Sequence, residues 1–367
     1  MPPSPKTILV IAGDPSGDLH GAHLIKELKS HGFRIAAVGG PLIRKEADEF
    51  IEDLAARGMT GFLEPFKALP FFFRLARRLR AFMLKTRPAA LICIDYYGFN
   101  RRVLAIAKAC GVPAYYYISP QVWASRAGRI KTLKDLIRRM FVIFPFEEKI
   151  YTQENVPCLF VGHPLLDLLP AAHRNGGLKA PLKVGLLPGS RASEIKRHLP
   201  LFLKAFEEIK RHFPDSKAFV FASASLPDRA YAAAGKFELV RESDYKSRMK
   251  LDIAISSSGT ATLENALLGI PMVVVYKLSW ATYTIARAII KVPYISMANI
   301  LAGRLLVPEL IQNDATPQKI ARAAVSLLEN PEKLAALKKD LAGLREVLGS
   351  TGAAQRTARA IAAELAS

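Results

Sequence analysis

Glu264 sits inside a stretch, residues 251–276, that reads as strand, small-residue turn, helix and strand. An apolar alternation ends in Ser256, Ser257, Ser258 and Gly259. Leu263, Ala266 and Leu267 then recur at helical spacing until Gly269 and Pro271 stop the helix. Such a turn, with Ser258, Gly259 and Thr260 at its tip, aims main-chain N–H groups and the positive end of a helix dipole at whatever lies above it. An anion is the favoured occupant. The acid one turn in has two readings: a carboxylate that takes the paired hydroxyls of a ribose while a diphosphate rests on the amides, or one that only complements the dipole. A second turn of this kind, Pro188-Gly189-Ser190-Arg191, follows the apolar run 182–187 and precedes a helix carrying Leu199, Leu203, Phe206 and Ile209. Gly189 lets a ligand approach the backbone, Ser190 offers a hydroxyl, and Arg191 can fork onto phosphate oxygens. Two anion-binding turns in one half of a chain suggest one nucleotide diphosphate.

Asp95 ends the hydrophobic strand Leu91-Ile92-Cys93-Ile94. Ligands of open parallel sheets bind beyond the carboxyl ends of strands, so the acid is placed either as a general base or as a cap on the next turn. The first turn, Gly13-Asp14-Pro15-Ser16-Gly17-Asp18-Leu19-His20-Gly21, places Asp14 near the same region. Its glycines stand four apart and do not make the dinucleotide fingerprint, which argues against a nicotinamide oxidoreductase. Asp14, Asp18, His20 and His23 imitate a metal site, but their spacing matches no strong ligand pattern, and neither metal nor cofactor is expected. His163, before Pro164, reads equally as a structural group at a hinge or as a substrate contact.

These residues need rigid elements to hold them. Strand patterns at 8–12, 34–38, 91–95, 114–118, 140–144 and 158–161 alternate with helical ones, and a Pro-, Gly- and Ala-rich stretch after Asp167 reads as a linker. The alternation restarts at 182–188, 217–223, 237–242, 251–257 and 271–276, and the tail from Thr316 is helical with a break at Gly349 to Gly352. Strand-helix alternation means parallel sheets covered on both faces. The expected fold is α/β, with two Rossmann-like doubly wound domains facing a cleft: residues 1–168, residues 169–345, and a last helix over 346–367. A length of 367 residues suits two domains. The three cysteines lack a C-x-x-C spacing, so a reducing compartment is expected. No secretion signal and no apolar run long enough to span a bilayer is read.

Formal charge is +20, and residues 66–139 hold 16 Lys or Arg against only Asp95 and Asp135. Such a face seeks polyanions, whether nucleic acid, anionic lipid or phosphorylated substrate, unless it is simply a solvated surface. On a helix after Pro70, Phe72, Leu75, Ala76, Leu79, Phe82 and Met83 form one apolar stripe, with Phe71 and Phe73 outside it among Arg74, Arg77, Arg78 and Arg80. Extra aromatics among arginines suit a helix lying in a lipid interface better than an ordinary amphipathic one. The segment is therefore expected to dock on a membrane and accept acyl chains through Phe66, Leu69, Phe71, Phe72, Phe73 and Leu75. No nucleic-acid motif is readable, and the basic run is interleaved with Phe and Leu at helical spacing rather than with a stacking platform, so nucleic acid is not expected as a partner.

Six ordered motifs carry a resemblance over nearly the whole chain: AGDPSGDLHGAHLI, ISPQVWASRAGRIKTLKD, FPFEEKIY with VPCLFVGHPLLD, LLPGSRASEI, SSGTATLENALLGIPMVVVY and VPYISMANILAGRLLVPELIQ. The chain resembles the lipid-A-disaccharide synthase family, inverting glycosyltransferases of the GT-B type. The resemblance implies transfer of 2,3-diacylglucosamine from its UDP derivative to the 6-hydroxyl of 2,3-diacylglucosamine 1-phosphate (lipid X), giving a β-1,6 disaccharide 1-phosphate and UDP in lipid A biosynthesis. It implies direct displacement with Asp95 taking the acceptor proton, Asp14 beside it, and Arg191 with the amides around Gly259 and Thr260 stabilising the departing diphosphate. Glu264 would hold the ribose, and Asn299 and Gln312 would line the donor pocket. A cytoplasmic enzyme, peripheral on the inner membrane, follows; the oligomeric state is left open, a homodimer included. A UDP-sugar epimerase, or a transferase with another lipid acceptor, is the nearest rival. The family usually reads Asp-x-Pro-Asp-Phe-Asn where this chain has Asp95-Tyr96-Tyr97-Gly98-Phe99-Asn100, and usually has Glu where the first turn has Asp14. Both departures fall on the acceptor side.

Overall fold

The structure, a computed structural model, describes residues 5–54, 64–120, 128–171, 178, 180–224, 226–241, 245–280, 283–284, 287 and 292–366, without the side chains of 64–68. Much of the linker stretch, all of the QVWASRA run (121–127) and the Phe66 side chain thus lie outside the described residues. The chain divides into two compact units, Met1–Asp167 with Leu348–Ser367, and Leu168–Val347.

In the first unit, β1 (Thr7–Ala12), β2 (Arg34–Gly39), β3 (Glu49–Asp53), β4 (Ala90–Ile94), β5 (Ala114–Tyr117), β6 (Arg139–Val142) and β7 (Cys158–Phe160) form a parallel sheet in the order β3-β2-β1-β4-β5-β6-β7. Helices α1 (Pro15–Ser30), α2 (Pro41–Glu46), α3 (Glu64–Thr86), α4 (Tyr97–Ala109), α5 (Gly128–Lys134), α6 (Pro145–Gln153) and α7 (Leu165–Leu168) connect the strands. Every residue of β4 and β5 is buried, as expected where helices cover both faces. Asp14 starts α1 by accepting from the Gly17 N–H at 2.7 Å, with Pro15 in the first turn, where a missing N–H does no harm.

The second unit repeats the plan. β8 (Lys183–Leu187), β9 (Lys217–Phe221), β10 (Glu238–Val240), β11 (Ile253–Ser257), β12 (Met272–Tyr276) and β13 (Glu309–Ile311) pair in parallel in the order β10-β9-β8-β11-β12-β13. Its helices include α8 (Ala192–His212), α9 (Thr260–Leu267), α10 (Met297–Ala302), α11 (Pro317–Leu328) and α12 (Pro331–Val347). The last helix, α13 (Ala353–Ala366), returns to the first unit, where Glu364 pairs with Arg139 at 2.6 Å and Lys6 donates to the Leu365 carbonyl at 2.7 Å. Each sheet gains one edge strand that sequence periodicity does not reveal: β3 is mostly acidic, and β13 is only three residues long.

Helix α3 corrects one expectation. Phe72 and Leu75 face inward with Leu79 and Met83 into a core shared with Leu9, Leu91, Phe99 and Val103, so neither is available to lipid. Phe72 packs on Phe99 at 5.2 Å between ring centres, and Phe71 is half-buried against the same core. The spacing of the apolar stripe decides this, because residues three and four apart share the face that meets the sheet. Leu69 and Phe73 are exposed, at 39% and 55%.

Candidate active site

In a doubly wound sheet the strand order reverses once, and the helices leaving the two strands at that point diverge to opposite faces, opening a crevice at their carboxyl ends. The reversals fall between β1 and β4, and between β8 and β11. Every turn singled out by its chemistry leaves one of these four strands. Gly13–Asp14 follows β1, Asp95 follows β4, Gly189–Arg191 follows β8, and Ser258–Thr260 follows β11.

The two turns of the second unit line one cavity of about 440 Å³, together with Glu194, Phe221, Val240, Arg248 and Glu264. Gly189 has φ +120°, the left-handed side that L-residues avoid, and a Cβ there would come within 2.5 Å of Glu194 Oε2. That carboxylate, in the first turn of α8, accepts from the Ser190 N–H at 3.0 Å and the Arg191 N–H at 3.3 Å, and its other oxygen holds Arg191 Nη1 at 3.0 Å. The Ser190 and Arg191 amides therefore already serve an internal anion. The Arg191 side chain stays 64% exposed at the rim. The open N-terminus of the pair is that of α9, where Gly259, Thr260 and Ala261 line the cavity and first-turn amides lack intrahelical acceptors. Ser258 faces the same space, its hydroxyl donating to the Ile295 carbonyl at 2.9 Å.

Behind this wall, His198 is fully buried and accepts from the Lys277 N–H on Nε2 at 3.1 Å, which leaves its Nδ1 to donate to the Pro188 carbonyl at 3.0 Å. Burial lowers its pKa, so the neutral ring ties the glycine turn to the end of β12. Asn299 and Gln312, expected in the donor pocket, do not line this cavity. Asn299 Nδ2 donates to the Val307 carbonyl at 2.9 Å and to Glu309 Oε1 at 2.7 Å, while its Oδ1 accepts from the Leu306 and Val307 amides, both at 2.8 Å. Glu309 in turn accepts from the Ile295 and Ser296 amides, so the network fixes the segment that Ser258 touches. Gln312 braces Leu278, accepting from its N–H at 2.7 Å. Glu194, His198, Tyr245 and Arg248 escaped the sequence reading. The (i, i+3) spacing of Arg191 and Glu194 is the one signal that marks any of them.

In the first unit, Asp95 and Tyr96 both take left-handed backbone, φ +41° and +46°, which costs energy for residues with a Cβ and is held by the surroundings. The Asp95 carbonyl accepts from Asn100 Nδ2 at 2.7 Å and from the Tyr116 hydroxyl, and its N–H donates to the Tyr117 carbonyl at 3.1 Å. Gly13 is required here, since a Cβ would collide with the Tyr96 ring. Asp14 and Asp95 are neighbours: burial first, and then the Asp14 charge, push the Asp95 carboxyl up to about 6. A carboxylate that titrates near neutrality at the mouth of a crevice can take and return a proton.

Other polar groups nearby are structural. Asp18 accepts from the amides of Gly40, Leu42 and Ile43 at 2.8 to 3.0 Å and so caps α2 rather than its own helix. Burial holds His20 down to about 4 and His163 to about 3, and His163 Nδ1 accepts from the Leu165 N–H at 3.1 Å. Glu147, from the FPFEE motif, accepts from Ser119 Oγ at 2.6 Å and from the Phe144 N–H at 3.1 Å. Among the described residues, no three His, Cys, Asp or Glu side chains gather as metal ligands.

Two doubly wound parallel units of this kind have the fold of GT-B glycosyltransferases. CalG4, the calicheamicin glycosyltransferase, matches at TM-score 0.64 with 15% identity over 99% of this chain and 98% of its own. MurG of Acinetobacter baumannii matches at 0.61 with 16% identity over 97% and 99%, and the UDP-GlcNAc 2-epimerase of Neisseria meningitidis at 0.66 with 13% identity over 97% and 99%. These likenesses speak to the fold alone.

Residues 8–365 match the family described as lipid-A-disaccharide synthetase, and the chain belongs to that family. It is 39% identical to the lipid-A-disaccharide synthase of Syntrophus aciditrophicus and 38% identical to that of Geobacter metallireducens, over 96% of both chains in each case.

Proposed function

We propose that this glycosyltransferase moves 2,3-diacylglucosamine from its UDP derivative to the 6-hydroxyl of 2,3-diacylglucosamine 1-phosphate. The observation that carries the reading is the convergence of Gly189, Arg191, Gly259, Thr260 and Glu264 on one cavity at the strand-order reversal of the second sheet, in a chain of this family. The uridine diphosphate lies in that cavity, its phosphates on the α9 N-terminus and Arg191, its ribose on Glu264. Asp95 removes the proton from the acceptor 6-hydroxyl as the oxygen attacks the anomeric carbon. The new C1–O6 bond forms while the C1–phosphate oxygen bond breaks, inversion gives the β linkage, and UDP leaves with the electron pair. Positive groups aimed at the departing diphosphate stabilise the charge that develops there, the role a divalent metal would otherwise fill.

The test is incubation with both lipid substrates in the presence of EDTA, read by mass spectrometry. Disaccharide 1-phosphate and free UDP are expected, and only when the acylated acceptor is added. UDP release without acceptor, or interconversion of UDP-sugars, would favour an epimerase instead.

Both substrates carry acyl chains, so the enzyme works at a lipid surface, and α3 supplies the contact. No described helix is long and apolar enough to cross a membrane. Leu69, Phe73 and Leu84 are exposed on α3 alongside Arg74, Arg77 and Arg80, and the Arg102 guanidinium lies 4.7 Å from the centre of the Phe73 ring. Apolar tips among cations suit the headgroup region of an anionic leaflet. Replacing Leu69 and Phe73 together by Ser should weaken partitioning onto anionic vesicles about thirtyfold, from the loss of roughly 1 kcal/mol of apolar burial per side chain. Unchanged retention would remove α3 from this role.

A further inference from the structure

Arg248 is the least expected residue of the cavity. It opens a 3₁₀ turn (Arg248–Lys250) just before β11, and its side chain is only 11% exposed although it lines the cavity wall. Nη1 donates to Glu264 Oε2 at 2.6 Å, while the Tyr245 hydroxyl donates to Glu264 Oε1 at 3.0 Å. The guanidinium carbon lies 5.1 Å from the centre of the Tyr245 ring and 5.6 Å from that of Phe221. The turn is tied in place, with the Met249 N–H on the Tyr245 carbonyl at 2.9 Å and the Leu251 N–H on the Arg248 carbonyl at 3.0 Å. The two donors thus approach Glu264 from one short segment, and each takes a different carboxylate oxygen.

We infer that Arg248 and Tyr245 clamp the Glu264 carboxylate for two-point recognition of a vicinal diol, which makes Arg248 a positioning residue for the sugar of the nucleotide rather than a phosphate ligand. The inference rests on the reading that Glu264 takes the ribose hydroxyls. An ionised carboxylate accepts about four hydrogen bonds, so the clamp uses one position on each oxygen and leaves one on each for a hydroxyl. The vicinal hydroxyls of a ribose match that spacing. Without the clamp a glutamate side chain samples several rotamers, and the binding of both hydroxyls must order it first. The geometry also separates the two arginines of the cavity. Arg191 stands at the rim, 64% exposed, where a phosphate can reach it. The Arg248 charge is met by Glu264 in a setting flanked by two aromatic rings, which hold the guanidinium in place.

Calorimetric titration of the full-length protein with UDP and with 2′-deoxy-UDP tests the clamp. The wild type should prefer UDP. Arg248→Met should weaken UDP about tenfold and Tyr245→Phe about threefold, the loss of an ion-paired hydrogen bond and of a longer one from an uncharged donor, while 2′-deoxy-UDP binding moves far less, so that the preference collapses. Arg248→Lys should recover part of it. Tyr245→Phe removes a single oxygen and keeps the test decisive if Arg248→Met does not fold. Equal weakening of both ligands would overturn the inference and make Arg248 a phosphate or base contact. A wild type that prefers UDP, with variants that keep the full preference, would overturn the clamp alone. A wild type indifferent to the 2′-hydroxyl would overturn both the clamp and the ribose role of Glu264.

Discussion

Asp95→Asn should lower turnover by about 10²–10⁴ and leave UDP affinity unchanged, because it removes the proposed base and no residue that lines the cavity of the second unit. The amide keeps the shape of the side chain, and the left-handed turn is held through the backbone, by Asn100, Tyr116 and the Tyr117 carbonyl, so the loss is one of chemistry. The wild-type pH profile follows from the raised carboxyl. The base form exists above its pKa, so kcat/KM for the acceptor should climb as pH rises through about 6 and level off above it. The same shift has a stability consequence. A carboxyl whose folded pKa lies above its unfolded value favours the fold when protonated, and that contribution disappears as pH rises through about 6. At neutral pH the ionised Asp95 is therefore a burden on the first unit, worth at most about 3 kcal/mol, and Asp95→Asn should melt later than wild type. Undiminished turnover would take the proton-transfer role away from Asp95.

Gly189→Ala should damage the second unit in both stability and ligand affinity. Alanine would have to hold φ near +120°, and its Cβ would meet Glu194 Oε2 at 2.5 Å and Glu194 Cβ at 2.8 Å. The backbone strain alone is of order 1–3 kcal/mol. Relief requires Glu194 to withdraw, which releases the Ser190 and Arg191 amides and lets the Arg191 side chain swing away from the rim. Thermal unfolding should begin several degrees lower, and UDP should bind at least about tenfold more weakly, the worth of one misplaced charged hydrogen bond. Calorimetry measures both quantities. A variant with unchanged melting and unchanged UDP affinity would show that the tight turn is dispensable.

The parallel sheets were legible because buried strands carry continuous apolar runs, and Leu91-Ile92-Cys93-Ile94 or Met272-Val273-Val274-Val275 admit little else. The turns were legible because Gly, Ser and Arg after such a run have a direct physical meaning. Long-range pairing was not. Arg248 reaches Glu264 across 16 residues and an entire strand, and nothing local marks a lysine- and arginine-rich turn as the place where a carboxylate is gripped. Glu194 sits on a helix where its charge also reads as ordinary dipole complementation. The α3 stripe shows the opposite failure. The arginines that line the helix drew attention to its aromatics as a group, whereas the 3.6-residue period had already divided them, Phe72 inward and Phe73 outward. At Gly98, where the family usually carries an acid, a Cβ would meet nothing within 4 Å, so sterics do not explain the glycine.

The return of α13 to the first unit has a consequence for biogenesis. Synthesis runs from the N-terminus at roughly 5–20 residues per second. The β1–β7 sheet is therefore translated long before the helix that packs against α1, with all of Leu168–Val347 emerging in between. Until residues 353–366 are made, the nascent first unit exposes the surface that α13 will cover, and Arg139 lacks its Glu364 partner. The second unit, continuous in the chain, meets no such delay, so it can mature ahead of the first.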